Sequence, residues 1–251
     1  MTRTDPGTAL WVRRFHPSPA ASRQLVCFPH AGGSASFYFP ISRALAPTTD
    51  VLAIQYPGRQ DRCAEPCVED VTSLADAATA ALLPVLDRPV ALFGHSMGAA
   101  VAFEVATRLE RAAIAPVVLF VSGCRAPSRP CEGVLHLQDD DTLIAEIERL
   151  GGAGSQVLQD AEILRLVLPA IRSDYRAAET YRWHGGTPLT VPIHAHVGDA
   201  DPDAPLADVR TWESHTTGGF RMRTYPGGHF YLVDRAPELV AAIEAVLAGA
   251  G

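Results

Sequence analysis

Short apolar runs recur along the first half of the chain, each closed by glycine, proline or a polar turn. Leu10 to Phe15 reads as a short first strand. Gln24 to Phe28 (QLVCF), Val51 to Gln55, Val90 to Phe93 and Val117 to Ser122 (VVLFVS) read as further strands, the uninterrupted apolar ones being of the kind buried on both faces. Between them the spacing turns helical, over Phe37 to Leu45, the alanine-rich Leu74 to Leu86, and a run of small residues from Gly98 to about Leu109. Strands alternating with helices predict a mostly parallel sheet with crossover helices on both faces.

After Ser122 the alternation stops for roughly seventy residues, where a crossover loop usually takes a handful. Thr142 to Leu150 keeps helical spacing through Leu143, Ile144, Ile147 and Leu150, and ends at Gly151-Gly152. Glu162 to Tyr181 sets Ile163, Leu166, Val167, Ala170, Ile171, Tyr175 and Ala178 along one face, with Pro169 expected to kink or split the helix. An amphipathic insertion here, about residues 125–188, would cover the C-terminal edge of the sheet as a lid. The sheet resumes at Pro192 to Val197. Ala207 to His215 follows as a helix, Phe220 to Tyr225 as the last strand, and Pro237 to Leu247 as a closing helix with proline near its first turn. With no repeat and no linker, residues 1–251 read as a single domain.

The chemistry concentrates in Val90 to Ala102, VALFGHSMGAAVA: a strand, a sharp turn and a helix, with G-x-S-x-G in the turn. The five residues alone are a weak signal, but strand before and helix after is the context a nucleophile elbow needs. Ser96 would stand above the sheet at a helix N-terminus. There the Met97 N–H and the helix dipole face any charge developing on a carbonyl oxygen. This is the arrangement of an α/β-hydrolase fold, in which a second oxyanion N–H comes from a loop after an early strand; Pro29-His30-Ala31-Gly32-Gly33 fits, and Ala31 is the residue assigned.

A serine needs a base within reach and a carboxylate to orient it, in the chain order serine, acid, histidine. Of nine histidines, only His229 follows the last predicted strand. His215 precedes that strand and would lie at the wrong edge; His95 should point away into packing. For the acid, G-x-x-D spacing and Pro202 favour Asp201, with Asp199 as the alternative. His194 and His196 share a strand face but lack a third partner, and Cys63 and Cys67 have no second pair of ligands, so no metal is expected.

Composition narrows the rest. The 251 residues are 47% hydrophobic and 20% charged, as in an ordinary globular protein, and the net charge of −7 argues against a nucleic-acid partner. All 21 basic residues are arginine, from which no function is drawn. MTRTDPGTALWVRRF lacks the apolar core of a signal peptide, and nowhere do 18 apolar residues run together, which predicts a soluble, cytoplasmic protein without a membrane partner. Five cysteines are then expected to be reduced.

Taken together, Phe28-Pro29-His30-Ala31-Gly32-Gly33, Tyr56-Pro57-Gly58-Arg59, Gly94-His95-Ser96-Met97-Gly98, Leu168-Pro169 with Arg172, Asp174 and Tyr175, Glu179-Thr180-Tyr181, Gly198-Asp199-Ala200-Asp201 and Gly227-Gly228-His229-Phe230 resemble a type II thioesterase of nonribosomal peptide and polyketide synthases. The resemblance covers nearly the whole chain. It implies hydrolysis of stalled acyl groups from the phosphopantetheine arm of an acyl or peptidyl carrier protein, by a monomer that needs no cofactor. In that mechanism Ser96, deprotonated by His229, attacks the thioester, Met97 and Ala31 hold the oxyanion, and water releases the acid. The lid stripe Ile163, Val167, Ile171 and Tyr175 should then be shared between the core and an acyl channel, and Arg59, Arg62, Arg125 and Arg129 are candidates for meeting an acidic carrier. Rival readings are a carboxylesterase, a chain-terminating thioesterase, which fits a chain opening on Met1 poorly, and a hydrolase-like protein that only binds.

Overall fold

The computed structural model describes residues 6–151 and 161–249. Its sheet is built from β1 (Val12–Arg13), β2 (Arg23–Phe28), β3 (Thr49–Ile54), β4 (Val90–His95), β5 (Val118–Ser122), β6 (Ile193–Gly198) and β7 (Phe220–Tyr225), in the order β1-β3-β2-β4-β5-β6-β7. Only β1 runs antiparallel to its neighbour; every other pairing is parallel. The apolar runs of the sequence are explained by burial on both faces. Val26, Phe28, Leu92, Leu119 and Val121 turn one way, onto α3 (Val71–Leu82) and α4 (Met97–Arg111). Leu25, Cys27, Ala91, Phe93 and Phe120 turn the other, onto α2 (Phe39–Leu45) and α9 (Ala236–Gly249). Every residue of β4 and β5 is buried. At about 1.5–3 kcal/mol for each large apolar side chain, these two strands form the platform from which the site is hung.

Several elements differ from their sequence reading. Leu10 and Trp11 end a helix, α1 (Pro6–Trp11), and only Val12 and Arg13 pair as strand, opposite Ile54 and Ala53. α3 starts at Val71 because Asp70 caps it, accepting the Ser73 N–H at 2.7 Å, and it gives way at Leu83-Pro84 to a short 3-10 turn. The helix read over Ala207 to His215 is one turn of α7 (Leu206–Arg210) followed by a 3-10 segment. A further short helix, α8 (Tyr231–Asp234), directly follows the His229 turn.

Between β5 and β6 the chain leaves the sheet and builds α5 (Asp140–Leu150) and α6 (Ala161–Thr180). α5 is capped by Asp139, which accepts the Thr142 N–H at 2.9 Å, and stops at Gly151 with φ +71°; Gly152, read with Gly151 as its stop, lies outside the described residues. α6 runs unbroken through Pro169. Its flanks, Leu168, Ala170 and Ile171, are buried while Pro169 itself is exposed, so packing holds both halves and water can reach the carbonyl that loses its donor. Leu143 of α5 packs on Leu168 and Ile171 of α6 in a small core of their own. α6 is also tied to the body: Tyr181, just past its end, donates its hydroxyl to Glu104 of α4 at 2.7 Å.

Candidate active site

Ser96 occupies the turn between β4 and α4 with φ +54° and ψ −125°, a left-handed backbone that L residues avoid. The turn is held by its own N–H, which donates to the Ser122 carbonyl at 2.8 Å. Both flanking glycines are required by contact. A β-carbon on Gly94 would collide with the Gly98 backbone, and one on Gly98 with the carbonyl oxygens of Phe28 and Pro29. The strand, the helix and the end of β2 therefore meet with no space for a side chain. Met97 is the first residue of the 15-residue helix α4, so its N–H has no partner within the helix and lies at the positive end of the dipole.

After β2 the chain makes a turn over His30 to Gly33, closed by the Gly33 N–H donating to the His30 carbonyl at 2.9 Å, with Gly32 at φ +75°. The Gly32 N–H donates to Asp174 Oδ2 at 2.7 Å. Because a trans peptide sets its N–H opposite its carbonyl, the Ala31 N–H points away from the His30 carbonyl that closes the turn. Of these three N–H groups, only that of Ala31 is not engaged in fixing the turn.

His229 follows β7, and its Nδ1 lies 2.9 and 3.1 Å from the two carboxylate oxygens of Asp201, which follows β6. Asp201 is buried and its Oδ1 also accepts the N–H groups of Asp203 and Ala204 at 2.9 and 3.2 Å. Asp199 is exposed and does other work, accepting the Gly227 N–H at 3.0 Å in the turn that carries His229. Ser96, Met97, Ala31 and His229 line one chamber of about 1010 Å³. Its far walls come from the insertion, including Ile147 and Leu150 of α5 and Ile163, Val167, Ile171 and Tyr175 of α6.

Several other histidines are held in packing or structural contacts. His95 is fully buried, with Nδ1 3.0 Å from Ser122 Oγ, which in turn lies 2.7 Å from the Tyr231 hydroxyl. This second serine–histidine contact is a support and not a catalytic pair, since Ser122 is sealed from the chamber and its hydroxyl is already shared with Tyr231. Burial, with His229 and His30 adding to it, holds His95 well below the usual histidine range and therefore neutral. His30, on the chamber wall against Phe37 and Phe230, is pushed down to about 3 by burial, then by His229 and Arg59. His215 is bonded to Ser128 at 2.9 Å and packed on Trp183 and Trp212; His196 is bonded to the Tyr225 hydroxyl at 2.8 Å. All five cysteines are free thiols.

Two of the four arginines expected to face a partner do not. Arg59 is 7% exposed and pairs with Asp174 of α6, Nη1 to Oδ2 at 2.5 Å and Nη2 to Oδ1 at 2.9 Å. Arg62 is 4% exposed, donating to the Gln55 carbonyl at 2.7 Å and to Glu65. Arg125 donates twice to the Asp203 carbonyl, at 3.1 and 2.9 Å, bracing the loop that carries Asp201. Only Arg129 stays largely open, with a long 3.8 Å contact to Asp208. As a pair, Arg59 and Asp174 were not legible in the sequence, where they stand in separate family blocks; 115 residues separate them, and nothing in either neighbourhood announces the contact.

A serine at a strained strand-to-helix turn, facing a chamber walled by α5 and α6 and on a mostly parallel sheet, defines a serine hydrolase of the α/β-hydrolase fold. Residues 23–247 match the model of the thioesterase domain family. The chain is 53% identical over 234 residues to the thioesterase PikA5 of Streptomyces venezuelae, spanning 92% of this chain and 83% of that one. Among solved structures it superposes on the type II thioesterase BorB of the borrelidin biosynthetic cluster with a TM-score of 0.91 and 48% identity, covering 98% and 100% of the two chains. It superposes on YbtT, the type II thioesterase of the yersiniabactin pathway, with a TM-score of 0.87 and 29% identity, covering 96% and 99%. The chain belongs to the thioesterase family and is a type II thioesterase of secondary-metabolite biosynthesis.

Proposed function

We propose that Ser96 is the nucleophile, His229 its general base, Asp201 the carboxylate that orients the imidazole, and the N–H groups of Ala31 and Met97 the oxyanion donors. The supporting observation is convergence: four of these groups, from three separate loops, line one chamber, and the fifth backs His229 from behind. Asp201 accepts from Nδ1, which leaves Nε2 as the nitrogen that takes the serine proton. Ser96 Oγ then attacks the thioester carbonyl while the oxygen, now negative, is met by the two N–H groups. Collapse expels the thiol, which takes the proton from His229. A water, deprotonated by the same histidine, attacks the acyl-enzyme, and the acid leaves with Ser96 reprotonated.

The substrate we infer is an acyl group stalled on the phosphopantetheine arm of a polyketide or peptidyl carrier protein in the cytoplasm. A chamber near 1010 Å³ with mostly apolar walls lies at the upper end of ordinary ligand cavities, about 300–1,000 Å³. It suits an enzyme that must accept many acyl groups. The segment about 125–188 acts as the lid of a single, monomeric domain. The test is turnover of a panel of acylated carrier proteins beside simple oxyesters, with Ser96→Ala as control. Thioesters should be preferred and Ser96→Ala should retain only the residual catalysis of the oxyanion hole. Preference for oxyesters would favour a carboxylesterase, and full activity in Ser96→Ala would remove the assignment of the site.

A further inference from the structure

The Arg59–Asp174 pair is a deeply buried arginine–carboxylate pair beside the chamber, with Asp174 fully buried, and the reaction described above does not use it. Two of the side-chain contacts it makes outside itself reach the His30–Gly33 turn, and a third holds Arg59 to its own loop. Asp174 Oδ2 accepts the Gly32 N–H at 2.7 Å; Arg59 Nη1 donates to the Gly33 carbonyl at 3.1 Å and Arg59 Nε to the Pro57 carbonyl at 3.2 Å. α6 also touches the turn directly, since a β-carbon on Gly32 would stand 2.8 Å from Ile171 Cγ1, one helical turn before Asp174.

A turn of this kind has two alternative forms. In a four-residue β-turn the central peptide, here Ala31–Gly32, can point its N–H to either side, and the glycine at φ +75° marks one of the two. An acceptor held at 2.7 Å from the Gly32 N–H selects that form. Flipping the peptide would cost this buried carboxylate oxygen one of its two donors and aim a carbonyl at it, which is unfavourable. The same contacts, with the Arg59 bond to the Gly33 carbonyl, tether the turn against α6, and with it the neighbouring residue that bears the Ala31 N–H.

We propose that Arg59 and Asp174 are positioning residues through which the lid helix fixes the turn that aims the Ala31 N–H, so that the oxyanion hole is complete only with α6 in place. This rests on the reading of Ala31 and Met97 as the oxyanion donors. The pair touches no reacting atom. Its contribution appears in the transition state, where the oxygen becomes charged, and much less in the bound substrate.

The test replaces the pair without leaving a lone buried charge: Arg59→Met with Asp174→Leu, a kind of exchange that often leaves stability intact. With a small acyl-pantetheine thioester, kcat should fall on the order of 10²-fold, the effect of losing one oxyanion donor, with KM within about twofold. Arg59→Met with Asp174→Asn restores an uncharged acceptor to Gly32 and should recover most of that loss, which a merely structural role would not predict. A folded Met/Leu variant with kcat within about threefold of wild type overturns the proposal, as does a rise in KM in place of the fall in kcat, or no recovery with Asn. Should the Met/Leu variant not fold, amide NMR of the wild type decides. On binding an alkyl boronate the Ala31 and Met97 resonances should move and that of Gly32 should not; movement of Gly32 alone overturns it. Full activity in Ser96→Ala would instead remove the underlying site, whichever way the pair behaves.

Discussion

Gly98 lies so close under Phe28 that no β-carbon fits between them: it would fall on the Phe28 carbonyl oxygen, with the Pro29 carbonyl oxygen 2.6 Å away. These are backbone atoms of the strand that leads into the His30–Gly33 turn, and they cannot swing aside as a side chain could. Gly98→Ala must therefore separate the elbow helix from β2, moving the two proposed oxyanion donors apart. Overpacking of this kind costs about 1–3 kcal/mol. The expected result is a lowered Tm together with a loss of kcat larger than that destabilisation explains, measured on the fraction that remains folded.

The pairing of His229 with Asp201 separates the two candidate acids. Asp201→Asn keeps the shape but offers an amide to Nδ1, favouring the wrong tautomer, and should lower kcat by about 10⁴-fold. Asp199→Asn keeps an oxygen for the Gly227 N–H and should leave kcat within a few-fold. Steady-state kinetics of the two variants on one acyl-pantetheine thioester makes the comparison, and equal losses would refute the assignment.

Buried neutral histidines make the fold acid-sensitive. Burial, then His194 and Arg223, push His196 down to about 3, and burial first holds His95 well below its usual value. Below about pH 6.5, the value near which the unfolded chain takes up these protons, the folded chain does not, so the unfolded state binds more protons and stability falls as the pH is lowered. The loss begins near pH 6.5 and continues toward pH 3, at up to about 1.4 kcal/mol per pH unit for each such group. Urea unfolding at stepped pH should show this slope, and His196→Gln should reduce it. An unchanged slope would mean that His196 does not titrate in this way.

Arg125 and Arg129 should behave differently when reversed. Arg129→Glu changes a largely open charge, so KM for an acyl carrier protein should rise several-fold, the effect shrinking in high salt, while a small acyl-pantetheine thioester is unaffected. Arg125→Glu breaks two hydrogen bonds to the Asp203 carbonyl beside the acid loop and should slow both substrates alike. Kinetics on the two substrate types at low and high salt distinguishes the cases.

Much of this molecule was legible because its signals are local. β2, β4 and β5 are dry on both faces, so their residues could be apolar throughout, and the glycines of the elbow mark a contact that only glycine allows. The helices α5 and α6 of the insertion carried their periodicity openly, and Ile163, Val167, Ile171 and Tyr175 do line the chamber. The errors arose where tertiary contact overrules pattern. Leu10 and Trp11 read as the start of a strand but finish a helix, and α6 continues through Pro169 instead of splitting there. Arg59 and Arg62 looked like surface charges because arginines in a polar loop usually are. Their burial is decided by partners that only the folded chain brings near, Asp174 across the fold for one and the Gln55 carbonyl for the other.

The insertion leaves the sheet at Ser122 and returns at Ile193, on strands that lie side by side and run the same way. Its ends are thus fixed by the sheet, and its length can change without shifting the phase of any strand or displacing the loops that carry Asp201 and His229. That makes the segment a natural place to graft a lid of different size and so a different chamber. The graft is not free in every respect. Whatever helix is transplanted must bring an acceptor to the Gly32 N–H, as Asp174 does, or the new enzyme will bind its acyl group well and turn it over slowly.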